Sequence, residues 1–179
     1  MDARLQELLD KQEITERLHD YCRAIDRCDR ELLMSVFHSE STHEMAGFEG
    51  SSRDFCGFAF DALAAFDATH HVLSNVSITV TADRARSECY FYATHRVPAA
   101  ADASEGVLAD HKPGIDEDLF LAGRYVDQFI RDSGVWKISK RIGVLDWCRW
   151  EPAEERNFIA IGALPHGKRD KTDPYYTIK

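Results

Sequence analysis

Residues 69–80 read THHVLSNVSITV, and the character of the chain changes there. Upstream, apolar residues recur at helical spacing. From Thr69 onward β-branched residues alternate with polar ones, the two-residue period of a strand. Ala82-Asp83 is a turn signal, and residues 86–97 read as a second long strand. Residues 99–117 hold Ala, Asp, Gly and Pro113 and read as one long loop. Two more strands follow over 119–131 and 135–147, joined by a tight turn at Asp132-Ser133-Gly134.

Working back toward the N-terminus, Leu5, Leu8, Leu9, Ile14, Leu18, Cys22 and Ile25 trace an amphipathic helix that ends near Arg27. Asp29 caps a short helix over 31–37, residues 41–46 form a short strand, and Ser51 or Ser52 caps a third helix to about residue 67. Helices first and antiparallel strands after them imply an α+β fold, with the helices on one face of a curved sheet. Such an arrangement encloses a pocket, a usual place for a small ligand. The expected division is one domain over residues 1–150 and a tail over 151–179, acting as a lid or a subunit contact. That tail carries Pro152, Pro165, Gly167 and Pro174 and little regular pattern.

A length of 179 residues suits one domain with a full core. The net charge of −9, with no basic stretch beyond the scattered run 166–171, argues against nucleic acid as the partner. The N-terminal residues are charged and lack the apolar core and cleavage site of a signal peptide. No apolar run approaches the roughly 20 residues that cross a bilayer. The five cysteines are odd in number, widely spaced and form no CxxC pair. They read as structural thiols in a reducing cytoplasm. No GxSxG, P-loop or dinucleotide fingerprint is present. His38, Glu40, His43 and Glu44 lie close together, but their spacing matches no common metal site.

Asp26 is the first candidate for chemistry. It continues the apolar stripe of the long helix, near the end where the helix dipole disfavours a carboxylate. It either bonds nearby amides or, as a buried acid, orients a histidine. Tyr21, five residues earlier, is a core tyrosine or a neighbour of the same cavity. His71 shares its strand face with Leu73, Asn75, Ser77 and Thr79, while Val72, Val76, Ile78 and Val80 make the more apolar face. Strict alternation therefore places His71 away from the core, unless the concave face is the mixed one. An imidazole whose tautomer is held by a carboxylate suits proton abstraction. His95 shares a face with Cys89, Phe91 and Ala93, as a second pocket donor or a satisfied core histidine. Arg141 groups by parity with Lys137 and Ser139, facing solvent. A bulge would turn it inward, where it would stabilise an anionic intermediate.

YCRAID (21–26), HHVLSN (70–75), GRYVDQF (123–129) and SGVWKISKR (133–141), in this order, resemble the SnoaL-like branch of the nuclear transport factor two-like superfamily. The resemblance spans roughly residues 5–148 and implies a cone-shaped α+β barrel around an apolar pocket. The catalytic pattern is similar to that of the bile-acid dehydratase, scytalone dehydratase and hexachlorocyclohexane dehydrochlorinase group. Carried over, His71 is the base, Asp26 its partner, Tyr21 a proton donor and Arg141 an inward cation. His95, Asn75, His43 and Tyr125 form the implied substrate-binding set. The dehydrochlorinase has lysine where Tyr21 stands and an aromatic residue where His43 aligns. The implied activity is a lyase that needs no cofactor or metal and carries out β-elimination on a small cyclic or aromatic compound. The alternatives are an isomerase or polyketide-type cyclase, or a non-catalytic small subunit or ligand-binding module. The apolar sheet face and the resemblance together imply a homo-oligomer, a trimer ahead of a dimer.

Overall fold

A computed structural model describes residues 2–101, 106–154, 165 and 167–178. Of the expected loop, residues 102–105 lie outside the described residues, as do 155–164, 166 and 179 of the tail. Helix α1 (Ala3–Asp26) opens at Asp2, whose carboxylate accepts from the Arg4 amide at 2.8 Å. Helix α2 (Arg30–Ser35) is capped by Asp29. It is shorter than expected because Phe37 already belongs to strand β1 (Phe37–Met45). A brief β2 (Phe48–Ser51), absent from the sequence reading, returns antiparallel to β1 and leads into α3 (Ser52–Leu63), capped by Ser51. Then come β3 (Ala68–Thr81), β4 (Arg84–Val97), a short 3-10 turn (Gly106–Leu108), β5 (Glu117–Asp132) and β6 (Val135–Pro152). A last short helix, α4, covers Pro174–Thr177.

The strands form one six-stranded sheet in the order β2-β1-β6-β5-β4-β3. All neighbours are antiparallel except β1 and β6. Helix α1 packs across β3 and β6, and α3 packs over β1 and β2, so the helices occupy the concave face. The α+β reading therefore holds: a curved, unclosed sheet wraps around a core that includes Leu18, Tyr21, Tyr125, Phe129, Trp136 and Ile138. At Gly123 the sheet folds so tightly that an added Cβ would stand 2.0 Å from the Val144 carbonyl oxygen and 2.8 Å from the Phe91 ring.

Three bulges decide which side chains face that core. Ser74 pairs with Tyr90 and Ser77 with Glu88, so β3 carries one extra residue near Asn75, whose φ of 50° is left-handed. In β6 the pairing steps over Ser139 and again over Asp146. Each extra residue exchanges the faces of the strand beyond it. The expected apolar face Val72, Val76, Ile78, Val80 is therefore split. Val72 and Val76 are exposed on the outside, whereas Ile78 and Val80 turn in and pack on the core. The helical stripe is also divided: Ile14, Leu18, Cys22 and Ile25 are buried, but Leu5, Leu8 and Leu9 stand exposed beyond the sheet.

A polar clasp joins α1 to the β5–β6 hairpin. Buried Asp10 pairs with Arg131 at 2.8 Å and accepts from the Trp136 indole N–H at 3.3 Å, while the Arg131 guanidinium lies 4.4 Å over the Trp136 ring. Without Asp10 the Trp136 N–H loses its partner, while Arg131 keeps a second carboxylate, Asp83, at 3.1 Å. D10A is therefore expected to lower unfolding stability by about 1–2 kcal/mol, read from urea denaturation.

Candidate active site

The end of α1 and the start of β3 meet at Asp26. Its Oδ1 lies 2.7 Å from His71 Nδ1 and accepts the Thr69 hydroxyl at 2.9 Å, while Oδ2 accepts the His71 backbone N–H at 2.9 Å. Three donors from β3 thus compensate a carboxylate that the helix C-terminus disfavours. Thr69 was missed as a partner, although its place two residues before His71 puts both on one strand face. Because Asp26 accepts at Nδ1, the other ring nitrogen, Nε2, is left as the acceptor.

His71 borders an apolar cavity of about 450 Å³ whose wall also includes Tyr21, Phe55, Phe66, His95 and Tyr125. The His95 ring stands edge-on to His71, with centroids 5.3 Å apart, and contacts Phe66 at 4.8 Å. Burial, helped by repulsion from His71, pushes the His95 pKa down to about 3, so this imidazole is neutral at ordinary pH. Burial pushes the Tyr21 hydroxyl well above its ordinary pKa despite the nearby Arg141 charge, which keeps it protonated. Tyr125 is shifted upward in the same way, again chiefly by burial.

Arg141 faces inward, against its parity and in line with the family resemblance, because the bulge at Ser139 reverses β6. It does not reach the cavity wall. Its guanidinium is wholly buried, bound by Asp127 through two contacts of 2.7 Å and sandwiched 4.0 Å from the Tyr21 ring and 4.3 Å from the Tyr125 ring. Burial works against this cation, yet Asp127 more than offsets that and raises its pKa. Arg141, expected to meet an intermediate directly, stands instead one layer behind the wall, against the two tyrosine rings. Asp127 was not singled out from sequence, although its parity with Tyr125 and Phe129 was a usable signal.

Two further expected binding residues also lie off the wall. Asn75 is exposed at the β3 bulge, since the extra residue there takes it off the His71 face. His43 is buried behind Phe55, ring on ring at 3.5 Å and 7°, so Phe55 lines the cavity in its place. Neither ring nitrogen of His43 has a hydrogen-bond partner among the described residues, and burial, with the Arg141 charge, lowers its pKa to about 2. In the 99–117 segment His111 Nδ1 lies 2.8 Å from Glu117 Oε2, a buried pair the sequence reading did not single out. Burial alone would raise the Glu117 carboxyl, but the Lys112 amide and His111 hold it below its usual range. The His111 ring also rests against Trp150, part of the cavity wall. Among the described residues no three His, Cys, Asp or Glu side chains are placed to share a metal ion, no helix is long and apolar enough to cross a membrane, and all five cysteines are unpaired.

A family model, SnoaL-like domain, matches residues 6–142. The chain belongs to the SnoaL-like domain family. No curated protein matches its sequence. Among solved structures it is similar to a scytalone dehydratase-like protein from Novosphingobium aromaticivorans, with 22% identity, 84% of this chain and 91% of that chain covered, and a TM-score of 0.65. It is similar to a type 2 hexachlorocyclohexane dehydrochlorinase, LinA, with 18% identity, 87% and 97% coverage and a TM-score of 0.68. The Kfla4162 protein from Kribbella flavida gives 21% identity, 80% and 95% coverage and a TM-score of 0.67. At these identities the likeness to the solved structures concerns the fold.

In this SnoaL-like chain His43 and His95 have folded pKa values below the ordinary imidazole value of about 6.5. Between those values the unfolded chain binds more protons, so their contribution to stability is complete above about pH 6.5 and lost as pH falls toward the folded values. His43 also leaves two buried nitrogens unpartnered, which a phenyl ring would not. H43F is expected to raise stability by about 1–2 kcal/mol near neutrality. It should also flatten the fall in melting temperature between about pH 7 and pH 4.5, followed by thermal melts across that range.

Proposed function

We propose that this chain is a cofactor-independent lyase that catalyses β-elimination on a small cyclic or aromatic compound. The observation that carries the reading is the 2.7 Å contact between Asp26 and His71 at the edge of an apolar, aromatic-lined cavity. His71 Nε2 takes a proton from a substrate carbon. The electrons of that C–H bond become the new double bond, and the leaving group departs from the neighbouring carbon with its bonding pair. Asp26 stabilises the imidazolium that forms. Tyr21 supplies the proton when the leaving group is a hydroxyl, and a halide would leave as the anion. Tyr21 is favoured over His95 in this role because its burial-raised hydroxyl remains protonated, whereas His95 is a neutral imidazole. Arg141 is a positioning residue: neutralised by Asp127, it fixes both tyrosine rings from behind the cavity wall. Water loss, halide loss and carbon–carbon cleavage all fit this scheme. The same base beside a carbonyl would shift a double bond or close a ring, and product analysis separates these outcomes.

H71A is expected to lower kcat by about 10²–10⁴-fold with the fold intact by circular dichroism. Full turnover in that variant, on any substrate the native protein converts, would end the proposal. D26N should be nearly as slow, because an amide N–H can face His71 Nδ1 and select the wrong tautomer.

We further propose that the chain works in the cytoplasm as a homo-oligomer, a trimer ahead of a dimer. Val72, Tyr92 and Trp147 on the outside of the sheet, and separately Leu5 and Leu8 at the start of α1, are 39–63% exposed, two apolar patches suited to burial between copies. Light scattering coupled to size exclusion is expected to give three times the 20.4 kDa chain mass; a monomer at micromolar concentration would contradict it.

A further inference from the structure

The Asp26–His71 pair borders two cavities, and the second has the more polar lining. On one side is the aromatic cavity. On the other is a polar cavity of about 650 Å³ between the last turns of α1, the first residues of β3 and the C-terminal segment 167–173. Its wall carries Arg23, Arg27, Lys168 and Arg169 against Asp26, Asp67 and Asp173. Two of the three carboxylates are already engaged. Asp26 accepts from Thr69 and His71, and Asp173 pairs with Arg27 and accepts the Lys168 and Tyr175 amides at 2.9 Å. Asp67 is exposed.

The cations are less completely matched. Arg23 pairs with Asp20 at 2.6 Å and donates to the Tyr175 hydroxyl at 2.7 Å, leaving its Nε–H with no partner among the described residues. Arg169 has no carboxylate partner among the described residues. It donates through Nη1 to the carbonyls of Leu63 and Phe66 at the end of α3, and its buried Nε and Nη2 have no partner among those residues. Arg169 forms part of the cavity wall, and its two covered, unfilled donors call for an acceptor; a planar anion supplies two at once when the guanidinium turns toward the cavity.

We propose that the polar cavity is a subsite for an anionic group, a carboxylate or phosphate, received by Arg169 of the C-terminal segment. The anion is either the acidic substituent of a substrate whose ring fills the aromatic cavity, a case that rests on the function proposed above, or a separate small anion. In both cases the segment beyond the sheet completes the site, and the dyad lies between ring and charge.

Isothermal titration with 1-naphthylacetate and its neutral twin 1-naphthylacetamide tests the first source; thermal melts with inorganic phosphate test the second. Naphthylacetate is expected to bind about tenfold or more tightly than the amide, as a charged hydrogen bond provides. R169Q should abolish that preference while leaving amide affinity unchanged, and R169K should keep most of it. G167D is a second variant that does not depend on the Arg169 clasp. Gly167 lines the same cavity and has open space where a Cβ would stand, so the added carboxylate should repel the anion without a clash. A phosphate-dependent rise in melting temperature, lost in R169Q or G167D, would assign the separate anion. If neither naphthyl compound binds, the aromatic cavity is not a ring site, and the phosphate melts alone decide the subsite. A native protein with neither acetate preference nor phosphate response, or effects that persist in both variants, would overturn the proposal. These are binding readouts, so they stand apart from the turnover of H71A.

Discussion

A carboxylate at the C-terminal end of a helix faces the partial negative charge of the helix and, once covered, must find donors. Asp26 finds three of them on β3, from Thr69, the His71 amide and the His71 ring. This cluster pins α1 to the edge strand of the sheet. It also determines which imidazole nitrogen is free and holds that ring at the boundary between an apolar and a polar cavity. Local stability and local chemistry therefore come from the same hydrogen bonds.

A second buried charge is handled differently. Arg141 and Asp127 neutralise each other in the core, and two tyrosine faces cover the guanidinium. A buried pair of this kind adds little net stability relative to an apolar substitute, but breaking it would leave a bare charge. Its more specific effect is geometric. Planar guanidinium stacked between two rings admits few alternatives, so Tyr21 and Tyr125 are held with their hydroxyls desolvated and protonated. The cavity stays apolar at its surface while the neutralised ion pair sits one layer behind it, its guanidinium against the two rings.

The C-terminal residues add a polar layer to this apolar design. Arg27 with Asp173, Lys171 with Asp29, and the Tyr176 hydroxyl with Asp29 at 2.9 Å tie residues 171–176 to the junction of α1 and α2. These contacts are partly exposed, so individually they contribute little. Together with the Arg169 clasp on α3 they bring the segment to the back of the dyad.

The order of elements, the helix caps at Asp29 and Ser51, the hairpin turns and the candidacy of Asp26, His71, Tyr21 and His95 were legible in the sequence, because periodicity, capping and turn chemistry are local. The division of each strand into inner and outer residues was not. Alternation holds only between bulges, and the extra residues at β3 and β6 arise from pairing with strands tens of residues away. That is why His71 and Arg141 face inward against their parity and Asn75 leaves the wall. The burial of His43 behind Phe55, the Asp127 partner of Arg141 and the polar cavity built by the C-terminal segment likewise depend on long-range packing, which one-dimensional pattern does not encode. Sequence alone thus determined which residues were available for chemistry; tertiary structure decided which of them share a cavity, because facing and burial are set by the partners each strand meets.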